Sequence, residues 1–211
     1  MPPIVIDVVS DVVCPWCYVG KRRLEAALRA AGEVEVRWRP FQLDATIPAQ
    51  GLDRQAYMRA KFGDGPRLAE AHARLKTLGE EVGVAFDFAA IRRSPNTLDA
   101  HRLIRFASEA GAADAVVERL FSDYFVQGRN IGDRAVLIEA ARACGLDGEA
   151  VAARLASGEG STEVRADVVT AQRDGVQGVP FFIFASKYAV SGAQSEEVLA
   201  QAIARAREDA T

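Results

Sequence analysis

Ile4-Val5-Ile6-Asp7-Val8-Val9-Ser10-Asp11-Val12-Val13-Cys14-Pro15-Trp16-Cys17 is a run of apolar, mostly β-branched residues that ends in two closely spaced cysteines. Residues Ile4 to Val9, apart from Asp7, have the composition of a buried strand. Beyond the cysteines, Leu24, Ala27, Leu28 and Ala31 recur at i, i+3, i+4 and i+7, the stripe of a helix, and Gly32 ends it. Val34 to Arg39 then alternates apolar and polar residues, as a second strand does. The chain therefore opens as strand, Cys-x-x-Cys, helix, strand.

That placement gives the cysteines a chemistry. Residues three apart at a helix start lie about one turn apart, with Cα atoms roughly 5–6 Å from each other, inside the disulfide range. Pro15 suits the first helical position, where a missing N–H costs nothing. Cys14 precedes that position, so unpaired N–H groups and the helix dipole favour its thiolate. Cys17 lies one turn in, against the core, and is expected to stay protonated until needed. Cys14 is thus read as the attacking nucleophile and Cys17 as the resolving thiol, passing through a mixed disulfide on Cys14. Pro15 and Trp16 form the active-site dipeptide. A lone Cys-x-x-Cys can also be half of a zinc site, but zinc needs a second pair or two histidines at ligand spacing. His72 and His101 are far apart and Cys144 stands alone, so no metal is expected. Three cysteines are too few, and odd in number, for a disulfide framework.

The stretch 41–177 reads as helical. Leu68, Ala71, Leu75, Leu78 and Val82 lie on one helix face. Ala100, Leu103, Ile104 and Ala107 repeat the stripe, as do Val117, Leu120, Phe121 and Tyr124, and again Leu137, Ala140, Ala141 and Cys144. The last stripe makes Cys144 a buried core thiol. The pattern then reverts to strands at Phe181–Phe184 and Lys187–Val190, with Ala185-Ser186 between them as a hairpin turn, and to a last helix capped by Ser195. Residues 1–40 read as βαβ and 178–211 as ββα. Neither is a complete sheet. Joined, they give an α/β fold with a four-stranded sheet, and 41–177 is an all-helical insertion between the halves.

Of the 211 residues, 49% are hydrophobic and the formal charge is −3. This is enough to bury a sizeable core. Scattered Lys and Arg give neither a nucleic-acid footprint nor a basic membrane-binding stretch. The first residues have no basic and apolar leader pattern, so a cytoplasmic protein is expected. Lys21-Arg22-Arg23 and Arg92-Arg93 read as solvated charges, His72 and His101 as packed helix residues, and Asn96 as a helix cap.

The stretch Asp7 to Arg22 resembles the FrnE-like branch of the DsbA family. Ser94-Pro95-Asn96-Thr97-Leu98-Asp99-Ala100-His101-Arg102, Gly128 to Asp133, Gly175 to Phe182 and Val190 to Gln194 continue the resemblance in order along nearly the whole chain. It implies a thioredoxin-like fold with a helical insertion, and thiol–disulfide exchange of DsbA-like or protein disulfide isomerase type. It also implies a cis Val179-Pro180 bond beside the sulfurs, with the Val179 backbone available to an extended substrate. The implied substrates are disulfide-containing proteins or small thiols, with glutathione as a redox partner and no tightly bound cofactor. In a reducing compartment such a pair rests as a dithiol.

Three departures accompany the resemblance. Trp16 stands where the periplasmic oxidant of the family has histidine. Val8 stands where thioredoxin has a buried acid, with Asp7 and Asp11 out of register. No second cysteine pair is present. The same superfamily includes kappa-class glutathione transferases and 2-hydroxychromene-2-carboxylate isomerases, whose acidic glutathione contact falls near Gln194. That makes Gln194 a candidate ligand contact and a glutathione-dependent transferase or isomerase the alternative function. A non-catalytic chaperone with an apolar surface of Trp16, Phe181 and Phe182 is the third reading.

Overall fold

The computed structural model describes residues 3–209. Its elements in chain order are β1 (Ile4–Ser10), α1 (Pro15–Leu28), β2 (Val34–Pro40), β3 (Leu52–Asp53), α2 (Arg54–Phe62), α3 (Arg67–Glu81), β4 (Arg93–Ser94), α4 (Leu98–Glu109), α5 (Ala113–Phe125), α6 (Arg134–Ala143), α7 (Gly148–Ser157), α8 (Ser161–Arg173), β5 (Phe181–Phe184), β6 (Tyr188–Ser191) and α9 (Glu196–Glu208).

Strand β1 is central because its β-branched residues must be covered on both sides. It pairs in parallel with β2, Ile4 opposite Val34 and Val8 opposite Trp38, and antiparallel with β5, Ile6 opposite Phe184 and Val8 opposite Phe182. The sheet order is β2-β1-β5-β6. Two elements from each end of the chain thus complete one four-stranded sheet of the thioredoxin-like kind. The β5–β6 hairpin turns through Ala185 (φ 49°) and Ser186 (φ 55°), two side-chain-bearing residues in the left-handed region.

On one face, Ile4, Ile6 and Val8 pack with Phe182 and Phe184 of β5, Leu24 and Ala27 of α1, and Leu199 and Ile203 of α9. On the other, Val9, Phe41 and Val176 meet Phe181 and Ile183. The alternation of β5 thus sends Phe181 and Phe182 to opposite sides of the sheet; Phe182 is sealed in the core, and the half-buried Phe181 does not line the cavity that Trp16 faces. The largest core joins Val12, Cys17, Tyr18 and Val19 to Leu103, Leu120, Phe121 and Leu137 of the insertion. The insertion therefore packs onto the start of α1.

Three local expectations need correction. The insertion is not purely helical: Leu52 pairs with Ser94 and Asp53 with Arg93 in a two-residue antiparallel ladder. Lys21 is not a solvated charge. It is 2% exposed and ion-paired with Glu25, Asp114 and Glu118, so α5 neutralises it. Cys144 is the C-cap of α6 and only half-buried, rather than part of the sealed stripe; the burial it has still raises its thiol above the ordinary value.

Candidate active site

At the end of β1 the chain turns over Asp11-Val12-Val13, and the Cys14 N–H donates to the Asp11 carbonyl at 2.9 Å. Cys14 is the N-cap of α1 and Pro15 its first residue, as the sequence predicts. The Cys17 N–H then donates to the Cys14 carbonyl at 3.0 Å, closing the first turn. Both thiols are free, and the two sulfurs interact. Their surroundings differ. Both lie in the large core, Cys17 at 1% and Cys14 at 4% exposure, but only Cys14 also lines a cavity. Burial pushes the Cys17 thiol well above its ordinary value. The neighbouring Cys14 sulfur adds to this, and the Ser10 hydroxyl and Asp11 backbone pull the other way.

The Val179-Pro180 bond is cis, and the Val179 carbonyl accepts from the Cys14 thiol at 3.6 Å. Residues 165 positions apart thus meet at one sulfur. Gly20, one turn beyond Cys17, makes this approach possible. A Cβ on Gly20 would lie 2.8 Å from Pro180 Cγ and 3.2 Å from Phe182 Cζ. Nothing in the local sequence around Gly20 signals this role, because both partners come from the far end of the chain.

Asp11 is the buried carboxylate of the site, 1% exposed. Its Oδ2 accepts from the Leu43 N–H at 2.8 Å. Its Oδ1 has no hydrogen-bond partner and lies 3.4 Å from His101 Nε2. That nitrogen is also 2.8 Å from the Phe41 carbonyl, which requires Nε2 to carry the proton. His101 is therefore a packed helix residue, as read, but one that brings α4 to the cysteine turn. The N-cap of α4 is Thr97 rather than the expected Asn96; Asn96 lies one residue earlier, where its Oδ1 accepts from the Leu98 N–H at 2.9 Å and its Nδ2 donates to the Ile47 carbonyl at 2.6 Å.

The cavity over Cys14 has a volume of 590 Å³ and lies among Val13, Trp16, α2, α3 and Val179. Its wall is largely apolar and aromatic. The His72 ring stacks on Phe88 at 4.1 Å, and the Arg74 guanidinium lies 5.8 Å over the Trp16 ring. Burial, reinforced by the Arg54 and Lys76 charges, holds the His72 imidazolium below the ordinary histidine value. Trp16, Cys14, Pro15 and Val179 meet at this cavity. Gln194 does not join them. It is exposed, and its Nε2 donates to the Ser191 carbonyl at 2.9 Å, so it ties its own loop together. Among the described residues no group of three or more His, Cys, Asp and Glu side chains is arranged to hold a metal ion. No described helix is long and apolar enough to cross a membrane.

A parallel–antiparallel four-stranded sheet, a cysteine pair at the mouth of its first helix and a cis-proline loop against the first sulfur define a thioredoxin-fold thiol–disulfide oxidoreductase. Residues 5–204 match the DSBA-like thioredoxin domain, and the chain belongs to that family. It is 30% identical over 199 residues to YwbO of Bacillus subtilis strain 168, an uncharacterised protein, covering 94% of each chain. The crystal structure of the probable DsbA oxidoreductase SCO1869 of Streptomyces coelicolor is 36% identical, with a TM-score of 0.88 over 99% of this chain and 92% of that one. The cytosolic disulfide reductase DsbM of Pseudomonas aeruginosa, solved with GSH, shares the fold at 22% identity, with a TM-score of 0.65 and 98% of each chain covered.

Proposed function

We propose that Cys14 is the attacking thiolate and Cys17 the resolving thiol of a protein that rests as a dithiol and reduces disulfide substrates. The observation that carries this reading is the unequal setting of the two sulfurs: one at a helix N-terminus facing a cavity, the other sealed in the core one turn later.

The Cys14 thiolate attacks one sulfur of the substrate, the substrate S–S bond breaks, and the first substrate thiolate leaves with the electron pair. Cys17 then loses its proton and attacks the Cys14 sulfur of the mixed disulfide. The second substrate thiolate leaves, and a Cys14–Cys17 disulfide remains. The substrate gains two electrons and the protein loses two. An external thiol returns the pair to the dithiol. Glutathione is a suitable reductant, given the fold shared with the GSH-bound DsbM structure.

The raised Cys17 thiol needs an acceptor for its proton. We assign this role to Asp11, whose Oδ1 is buried without a hydrogen-bond partner and whose backbone lies against the Cys17 thiol. The Asp11 Oδ1–His101 contact would hold the carboxylate in position. The Val179 backbone, two residues ahead of the first β1–β5 pair, would align the substrate disulfide beside Cys14.

The test is single-turnover oxidation of the pre-reduced protein by the neutral disulfide bis(hydroxyethyl) disulfide, followed by mass spectrometry and free-thiol titration. The wild type should reach the intramolecular disulfide. Cys14→Ser should not react. Cys17→Ala should stop at a stoichiometric mixed disulfide on Cys14, and Asp11→Asn should accumulate that species transiently. Equal reactivity of wild type and Cys14→Ser refutes the reading.

A further inference from the structure

Cys14 is 4% exposed, and the cavity is its access to solvent. A disulfide that reacts with it must therefore bring its sulfur through that space. At 590 Å³ the space is of the size that holds small organic ligands, for which the usual range is about 300–1,000 Å³.

The charged groups in the wall are unevenly partnered. Neither of its two carboxylates pairs with Arg54. Asp11 accepts from Leu43 and faces His101, and Asp44 accepts from the Thr46 N–H at 3.0 Å and the Tyr57 hydroxyl at 3.0 Å. Lys61 is spoken for by the Tyr57 hydroxyl at 3.0 Å and the nearby Asp44. Arg54 has no carboxylate within ion-pair distance among the described residues. Among those residues its only side-chain hydrogen bond is a long one, 3.4 Å, to the Ser94 hydroxyl. It is half-buried at the first position of α2, which the β3–β4 ladder and the Arg54 N–H to Arg92 carbonyl bond, 3.0 Å, hold in place. A partly desolvated guanidinium with most of its donors unused is a strong carboxylate site. Arg67 also lines the wall, but it is exposed at the first position of α3, whereas Arg54 is half-buried. The remaining wall, with Trp16, Leu68, His72 and Phe88, is largely apolar and aromatic.

We propose that this cavity binds a low-molecular-weight disulfide with an aromatic or apolar body and a carboxylate, the carboxylate being held by Arg54 while Cys14 attacks the sulfur. The proposal rests on the thiol–disulfide reading and adds the substrate class. The exchange runs through the same two attacks: one anionic disulfide and the protein dithiol become two thiols and the protein disulfide.

The experiment compares two aromatic disulfides, the dianionic dithiobis(nitrobenzoate) and the neutral dithiodipyridine, in single turnovers with pre-reduced wild type, Arg54→Gln and Arg54→Lys. Both reactions release chromophores, so each second-order rate constant is read directly. Arg54→Gln should lower the ratio of anionic to neutral rate constants about tenfold, the effect of removing one charge-assisted hydrogen bond. Arg54→Lys should keep most of the ratio, and added salt should lower the wild-type ratio. An unchanged ratio in Arg54→Gln overturns the proposal. So does an equal fall for both disulfides, which would assign Arg54 to the fold or to the Cys14 thiolate. So does reduction of folded insulin at a rate matching the anionic aromatic disulfide, since a polypeptide would then enter freely. If the neutral disulfide fails to react with wild type at all, it is the exchange reading that falls instead.

Discussion

Helices α3 and α4 carry similar sequence patterns and meet different fates. Both have an apolar stripe, at i, i+3, i+4 and i+7 on α4 (Ala100, Leu103, Ile104, Ala107) and at i, i+3, i+7 and i+10 on α3 (Leu68, Ala71, Leu75, Leu78). On α4 the stripe is sealed: Ala100, Leu103 and Ala107 are fully buried, and Arg102, on the same helix, is buried with hydrogen bonds to the carbonyls of Arg154, Leu155 and Glu159. On α3 only Leu75 of the stripe is buried, and Leu68, Ala71 and Leu75 face the cavity over Cys14. Periodicity reports that a helix has an apolar face. It does not report whether protein or a ligand covers that face. The two cysteines divide along a similar line. Both lie in the large core, but only Cys14 also lines the cavity.

The largest expected effect lies in the sealed region. Leu103→Ala removes a side chain from a core with no room to collapse, and should cost about 2–5 kcal/mol in urea unfolding. If the loss were under about 1 kcal/mol, the distinction between the helices would be broken. Next is Gly20→Ala, at the boundary. The added methyl meets Pro180 at 2.8 Å, and overpacking of this kind costs about 1–3 kcal/mol. Since Pro180 follows the Val179 carbonyl that contacts Cys14, the variant should also slow the first turnover step at temperatures where it remains folded.

The sequence shows the sealed half of the molecule far better than the open half. The βαβ opening, the Cys14-to-Cys17 turn, the strand after Val179-Pro180 and the α4 and α5 stripes follow from local periodicity and capping, because those signals lie within one helix or strand. The β3–β4 ladder escapes such reading, since two residues per strand show no period. Asp11 and His101 are ninety positions apart and meet only through packing. Gln194 is expected to contact a ligand, but its side chain donates to the Ser191 carbonyl. The Ala185-Ser186 turn has the backbone of an Asn-Gly turn without its residues, so its type is not legible in the sequence. The cavity itself has no sequence signature. Its apolar wall looks like ordinary core until the fold shows what is missing from the other side.

The difference between the sulfurs predicts a pH signature smaller than either packing effect. Burial raises the Cys17 thiol in the folded protein, whereas the unfolded chain keeps the ordinary value near 8.5. Above that value the unfolded state has lost the proton and the folded state still binds it. Stability therefore falls as pH rises from about 8.5, by at most about 1.4 kcal/mol per pH unit for this one group. Below that pH both states are protonated and the group contributes no slope. Urea unfolding of wild type and Cys17→Ala under reducing conditions, between about pH 8 and 10, checks this. The wild-type slope should be the steeper, and equal slopes would place Cys17 in a solvated setting.

The smallest effect on stability belongs to the open stripe, and it sharpens the comparison most. Leu68→Ala shortens a half-buried side chain whose neighbour is the cavity. It leaves no sealed void, so unfolding free energy should change by less than about 1 kcal/mol. The reaction at Cys14 should respond differently. A less apolar wall holds an aromatic disulfide less well, so oxidation by dithiodipyridine should slow by severalfold, while oxidation by the smaller bis(hydroxyethyl) disulfide changes less. Leu103→Ala should show the reverse: a large loss of stability with little change in the ratio of the two oxidation rates when measured well below its melting temperature. If Leu68→Ala instead destabilised the protein as much as Leu103→Ala, α3 would be ordinary core. The apolar face above Cys14 would then have no claim to be a binding wall.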